Sequence, residues 1–188
     1  MAGLIGWTLA PLGWSFGVLA LLLAAAVPLF ATRARQMPPA DAARSVALDG
    51  FVVASMIVPL IFTLWPGDPG AVARPNLIPF RDLVNSLDMP SYYVRLAVAN
   101  LLGNVVLFVP WGMALALRFD GLRLVGCAAT TAAIAVGIEI WQAGIGRSVD
   151  VTDVLMNMLG GAIGFWCARL VVVAAVDAET AIVPRDGR

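Results

Sequence analysis

The sequence contains no histidine and no lysine, and it has only two cysteines. Without histidine, the side chain that most often exchanges protons near neutral pH is missing, so an enzymatic mechanism would depend on other groups. Cys127 and Cys167 both lie within apolar runs, where we expect small buried side chains rather than a disulfide or a metal pair. No metal-binding motif and no nucleophile elbow is recognisable. The sequence therefore predicts no metal site and no cofactor.

Charged residues are also scarce. They make up 13% of the 188 residues, whereas 61% are hydrophobic, and the mean hydropathy is +0.90. A soluble domain averages about 25% charged and about 45–50% apolar residues, so the apolar excess is too large for a buried core alone. The composition predicts an integral membrane protein. Its formal net charge is zero, which gives no support to a nucleic-acid partner.

Five apolar stretches reach the length of roughly 20 residues that a membrane-spanning helix needs. They cover about residues 12–30, 46–65, 96–117, 124–142 and 153–176. The first is not expected to be a signal peptide, because residues 1–14 contain no basic side chain and Arg33 and Arg35 follow the run. The sequence thus predicts an all-α, polytopic helical membrane protein with a single domain over residues 1–188.

The arginines predict the orientation of these spans in the cell membrane. If the N-terminus lies outside, eight arginines fall on the inner side and four on the outer side, as the positive-inside rule favours. The inner ones are Arg33, Arg35, Arg44, Arg118, Arg123, Arg169, Arg185 and Arg188, and the outer ones are Arg74, Arg81, Arg95 and Arg147. We therefore expect the C-terminus to be cytoplasmic.

The loop over residues 66–95 is the longest predicted connection. Within it Phe80, Leu83, Val84 and Leu87 recur at the spacing of one helix face, directly after Pro79. This pattern predicts a short amphipathic helix in the outer membrane interface. A solvated loop with a chance periodicity is the alternative.

Polar side chains fall at one depth in three of the predicted spans. Ionisable groups within spans are unfavourable and usually face a partner or a water-filled cavity. We therefore predict an outward-facing binding pocket there, with Glu139 and Asp153 as candidate catalytic groups. The predicted binding residues are Asn100, Asn104, Glu139, Gln142, Arg147, Asp150, Asp153 and Asn157.

A purely structural role for these residues is the alternative. Asp150 and Asp153 stand where acids cap the first turn of a helix, and asparagines in spans often join helices. A mixed case has a structural Asp150 and a functional pair of Asp153 and Glu139. In either case unpaired acids near hydrocarbon are unfavourable, so we expect Arg147 to form an ion pair with one of them.

Four motifs in the second half of the chain resemble those of the VanZ-like membrane proteins. The matching strings are NLIPF at 76–80, NLLGNVVLFVPWG at 100–112, IEIWQ at 138–142, and R-x-x-D-x-x-D-x-x-x-N-x-x-G from Arg147 to Gly160. The eight predicted binding residues all lie within these strings. Trp111 stands where the family often has phenylalanine, and we expect only packing to differ.

The resemblance implies an accessory role in the bacterial cell envelope, with low-level resistance to teicoplanin-type lipoglycopeptides in some members. It implies no particular reaction. The pocket could bind membrane lipid, a lipid-linked wall precursor, a lipoglycopeptide or a partner protein, with the apolar residues of 76–89 holding a lipid part.

Other functions stay open at this point. Glu139 and Asp153 could form an intramembrane acid/base pair, since two carboxylates in one low-dielectric site tend to differ in protonation. Carboxylates and amides could also hold a divalent cation. A transporter is less expected, because no inverted repeat and no polar stripe through the inner half is visible. A pure scaffold is the remaining possibility.

Overall fold

The computed structural model describes residues 27–63, 75–144 and 147–182. Five helices follow one another: α1 Pro39–Thr63, α2 Arg81–Ser86, α3 Ser91–Arg118, α4 Leu124–Gly144 and α5 Val151–Ile182. Residues 27–33 are helical as well. Within the described ranges the only β-pairing is an isolated bridge between Asn76 and Asp150. The predicted all-α class is confirmed.

Four helices are long and apolar enough to cross a membrane, namely Pro39–Thr63, Ser91–Arg118, Leu124–Gly144 and Val151–Ala178. They match four of the five predicted spans. Most of the first predicted span, 12–30, lies outside the described residues. The second predicted span began at residue 46, whereas α1 begins at Pro39. The first turns of α1 are polar, so a prediction based on hydrophobicity did not include them.

The chain divides into two compact units, one up to Ala54 and one from Ser55 onward. In the first unit Arg33 forms an ion pair with Asp49 at 2.5 Å and donates a hydrogen bond to Ser45 Oγ at 2.7 Å. The second unit contains α2 to α5 and the end of α1, and it holds every predicted site residue. The single domain over residues 1–188 stays a prediction.

Helix α5 packs mainly against α3 and to a lesser extent against α4. Glycines allow the α3–α5 approach. A Cβ on Gly160 would overlap the carbonyl oxygen of Val105, and a Cβ on Gly164 would overlap that of Val109. Such small residues let helix backbones come close in membranes. This crossing brings the polar turns of α3 and α5 together.

Helix α2 forms within the predicted loop, at Arg81–Ser86. Its two exposed apolar side chains, Val84 and the neighbouring Leu87, lie on the predicted face. The residue before the helix, Phe80, has a left-handed backbone with φ 60°, and its N–H donates to Thr152 Oγ1 at 3.0 Å. The helix is therefore attached to the start of α5. Its location in a membrane interface stays a prediction.

The side chain of Arg169 holds the turn between α3 and α4. Its Nη2 donates to the carbonyl oxygens of Phe119, Asp120 and Leu122 at 3.1, 2.8 and 3.2 Å. These carbonyls belong to the turn between the end of α3 at Arg118 and the start of α4 at Leu124. The turn is thus fastened to α5 at the end of the molecule that we predict to be cytoplasmic.

Cysteine labelling will test the predicted orientation. Asp88 and Asp120 are both exposed and lie in different turns. In a chain with Cys127 and Cys167 replaced by alanine, we expect a membrane-impermeant maleimide to label Asp88→Cys in intact cells. Asp120→Cys should react only after the membrane is opened. Labelling of Asp120→Cys in intact cells would reverse the orientation.

Candidate functional site

The NLIPF segment pairs with the start of α5. The N–H of Asn76 donates to Val149 O at 2.7 Å, and Asn76 O accepts from the N–H of Val151 at 3.0 Å. The side chain of Asn76 also donates to Asp150 Oδ2 at 3.1 Å. Asn76 belongs to a recognised motif, but it was not predicted as a site residue, because its partners are more than 70 positions away in the chain.

Asp150 has a structural role at this junction. Its Oδ1 accepts the N–H of Thr152 at 2.7 Å, which is the hydrogen bond of a helix cap. Its own N–H donates to Glu139 Oε2 at 2.7 Å. These hydrogen bonds hold the first turn of α5, so the capping interpretation applies to Asp150.

Glu139 lies in the last turns of α4 and is buried, with 4% of its surface exposed. Because one of its oxygens accepts the Asp150 N–H, this carboxylate joins α4 to the start of α5. Its other oxygen is left for a further interaction at the same place. Glu139 thus links two helices and keeps one oxygen for another partner.

The end of α1 is held by two donors. The carbonyl oxygen of Thr63 accepts from Gln142 Nε2 at 2.8 Å and from Arg147 Nη1 at 2.8 Å. Thr63 is the last residue of α1, where carbonyls lack partners within the helix and the helix dipole attracts a cation. Sequence reasoning missed Thr63, because its contribution is a backbone atom that any residue type could supply.

The predicted ion pair of Arg147 is wrong. Within the described part of the chain no ion pair joins Arg147 to Glu139, Asp150 or Asp153, and its guanidinium donates instead to Thr63 O at 2.8 Å. The physical reason is that the carbonyl end of α1, the negative end of its helix dipole, offers the guanidinium an acceptor at Thr63 O.

Asn100 and Asp153 connect α3 with α5. Asn100 Nδ2 donates to Asp153 Oδ1 at 3.2 Å. The hydrogen bond satisfies one carboxylate oxygen of a helix-start acid from a different helix, which a simple cap does not require. The Asp153 side chain is therefore directed toward α3.

One cavity of about 190 Å³ lies among these groups. Seven of the eight predicted binding residues line it, and Asp150 does not: the seven are Asn100, Asn104, Glu139, Gln142, Arg147, Asp153 and Asn157. Glu139 and Asp153 thus face the same space. The remaining lining includes Phe62, Thr63, Gly103, Leu107 and Ile138, which sequence reasoning did not select because these residue types are ordinary in apolar helices. Ligand binding at the cavity stays a prediction.

Two side-chain atoms in the lining are buried without a hydrogen-bond partner among the described residues. They are Asn104 Nδ2, a donor, and Asn157 Oδ1, an acceptor. Asn157 is 2% exposed and Asn104 is 8% exposed. Buried polar groups are nearly always paired, and leaving one unpaired is unfavourable by about 1–3 kcal/mol. Both unpaired atoms belong to side chains that form the wall of the cavity.

A second, smaller cavity of about 40 Å³ lies beside the first. It shares Asn100 and Asp153 with the larger cavity, and Phe80 and Leu83 are among its other lining residues. Polar and apolar surfaces therefore meet next to α2.

These features define a helical membrane protein with a cluster of polar side chains among apolar helices. The model of the VanZ/LLP1 family matches residues 46–172, so the chain belongs to the VanZ/LLP1 family. The match includes every motif from Asn76 to Gly160 and confirms the resemblance seen in the sequence. No curated protein and no solved structure matches the chain.

Proposed function

We propose that the protein is a multi-pass protein of the bacterial cell membrane whose polar cavity binds the polar group of a membrane-resident ligand. The observation that carries the proposal is the shared lining: seven polar side chains from α3, α4, α5 and the segment before α5 surround one space. Polar and ionisable groups in spans are unfavourable unless they serve a partner or a cavity. The packing of apolar helices does not require seven polar side chains around one space.

The surface beside the cavity suits an apolar tail. Leu77 and Leu87, on either side of α2, are 72% and 64% exposed, and Phe80 and Leu83 reach the smaller cavity. A ligand with a polar head and a lipid chain would place the head in the large cavity and the chain along this apolar surface. A lipid-linked wall precursor and a lipoglycopeptide both have such a character, and sequestering either would give a route to low-level teicoplanin resistance.

Filling the cavity will test the proposal. A Cβ on Gly103 would meet no heavy atom within 4 Å, although Gly103 lines the cavity. Leucine favours helix formation over glycine by about 0.8–1 kcal/mol, so Gly103→Leu should fold and occupy the space. Native mass spectrometry of protein released from its own membranes should show a bound lipid on the natural protein and at least a tenfold lower occupancy on Gly103→Leu.

Gly137→Leu is the matched control. Gly137 is on α4, is exposed, and likewise has no heavy atom within 4 Å of an added Cβ, but it does not line the cavity. The control should keep the bound lipid. Equal occupancy in the two variants would show that the lipid binds elsewhere and would contradict the proposal.

An intramembrane acid/base enzyme is the second candidate. The observation in its favour is that the two carboxylates in the lining of the large cavity, Glu139 and Asp153, face the same space. A reaction would need one of them to give a proton and the other to take one. Removing the charge of Glu139 or Asp153 distinguishes the two candidates. In an enzyme it stops turnover even where the ligand still binds.

A further inference from the structure

Resting on the proposed function, we infer that the group entering the large cavity is an uncharged, hydroxyl-bearing headgroup such as a sugar. Asn104 Nδ2 and Asn157 Oδ1 are both buried, both unpaired, and both in the lining of the same cavity. A ligand group that accepts one hydrogen bond and donates another would pair both atoms. A hydroxyl does both with a single oxygen.

Some donors of the lining are already engaged. Asn100 Nδ2 donates to Asp153, and Gln142 Nε2 and Arg147 Nη1 donate to Thr63 O. Acceptors are left as well, because Glu139 and Asp153 each have an oxygen beyond the one that accepts a hydrogen bond from the protein. A ligand with several hydroxyl groups, each of them a donor and an acceptor, matches such a mixed lining.

Charge disfavours the two other common headgroups. Two carboxylates and one guanidinium line the cavity, so a phosphate meets more negative than positive groups there. An ammonium would be attracted to the carboxylates, but it has no lone pair to accept the N–H of Asn104. Only the uncharged hydroxyl group satisfies both asparagines without opposing the charges.

The cavity of about 190 Å³ is partly open rather than enclosed, so it can take one part of a larger molecule. In a lipid-linked saccharide, one terminal or lipid-proximal sugar would enter and the remainder would stay outside.

Three probes with the same dodecyl chain will separate the headgroup classes: dodecyl β-glucoside, dodecyl phosphate and dodecylammonium. Binding to the full-length protein in lipid nanodiscs is measured by titration calorimetry, with empty nanodiscs subtracted. We expect saturable binding of the glucoside, and at least tenfold weaker binding of the phosphate and of the ammonium.

A matched pair of variants connects this preference to Asn104. Asn104→Leu removes the needed donor, whereas Gly137→Leu adds the same apolar side chain outside the cavity. Losing a hydrogen bond at a buried group changes affinity by roughly tenfold or more. Glucoside binding should fall by that factor in Asn104→Leu and stay within about threefold in Gly137→Leu. If Asn104→Leu does not fold, Asn104→Asp removes the same donor from a side chain of nearly equal size.

The outcomes separate this inference from the proposed function. If the phosphate or the ammonium binds most tightly and Gly103→Leu abolishes that binding, the inference of an uncharged headgroup is wrong, and the proposal that the cavity binds a ligand still holds. Glucoside binding that is unchanged in Asn104→Leu would also overturn it, since the Asn104 donor would then not hold the headgroup. Binding of all three probes that is unchanged by Gly103→Leu would overturn both.

Discussion

Asp153→Asn is expected to abolish function while the protein still inserts and folds. Asparagine keeps an Oδ1 acceptor for Asn100 Nδ2, which now donates to Asp153 at 3.2 Å, and it caps helices nearly as well as aspartate. Only the charge on the cavity wall is removed. Hydrogen bonds to a charged group are roughly twice as strong as neutral ones, so we expect ligand affinity to fall by at least about tenfold, measured by titration against nanodisc-embedded protein.

Asp88→Asn is the control for this change. The substitution is chemically identical, but Asp88 is exposed and lines neither cavity. It should keep binding within a few-fold. Full function of Asp153→Asn, or equal loss in both variants, would contradict a role for the Asp153 charge in the cavity.

The same variants distinguish the two candidate functions. In a binding protein, Asp153→Asn and Glu139→Gln lower affinity. In an acid/base enzyme, either variant stops turnover by orders of magnitude even where the ligand still binds, because general acid–base catalysis contributes typically 10²–10⁴-fold. Glu139→Gln keeps an oxygen for the Asp150 N–H, which it now accepts at 2.7 Å, so its effect also reports on charge rather than on folding.

Gly164→Leu is expected to prevent the folded helix bundle from forming. A Cβ at Gly164 would overlap the carbonyl oxygen of Val109 and approach the N–H of Met113, and both are backbone atoms that cannot move aside as a flexible side chain can. Overpacking of a core by side chains destabilises by about 1–3 kcal/mol, occasionally more, and we expect this substitution to lie at or above the upper end. Size-exclusion chromatography and thermal unfolding of the detergent-solubilised protein would show aggregation or a large loss of stability.

Gly137→Leu again supplies the control, since the same side chain there meets open space. It should elute as the natural protein does and unfold at a similar temperature. A stable, monodisperse Gly164→Leu protein would mean that α3 and α5 do not cross as closely as Val109 and Gly164 imply. The position of the cavity, which depends on that crossing, would then change as well.

Much of the candidate site was predictable from residue types and spacing. Asn100 and Asn104 on one helix, and Asp153 and Asn157 on another, each stand one turn apart, and both pairs line the cavity. The partners of Arg147 were not predictable. Its acceptor, Thr63 O, is a backbone atom 84 positions away in the chain, so neither residue type nor local spacing indicates it.

The sequence by itself determined that this is a helical membrane protein of the VanZ/LLP1 family and where four of its apolar helices lie. Those properties depend on the summed hydrophobicity of contiguous segments and on local spacing, which are visible in one dimension. Only the tertiary structure decided that Asp150 caps α5 while Asp153 faces the cavity, and that Asn104 and Asn157 have buried, unpaired atoms there. Hydrogen-bond partners depend on distances between helices that are remote in sequence, and the close crossing of α3 and α5 at Gly160 and Gly164 sets those distances.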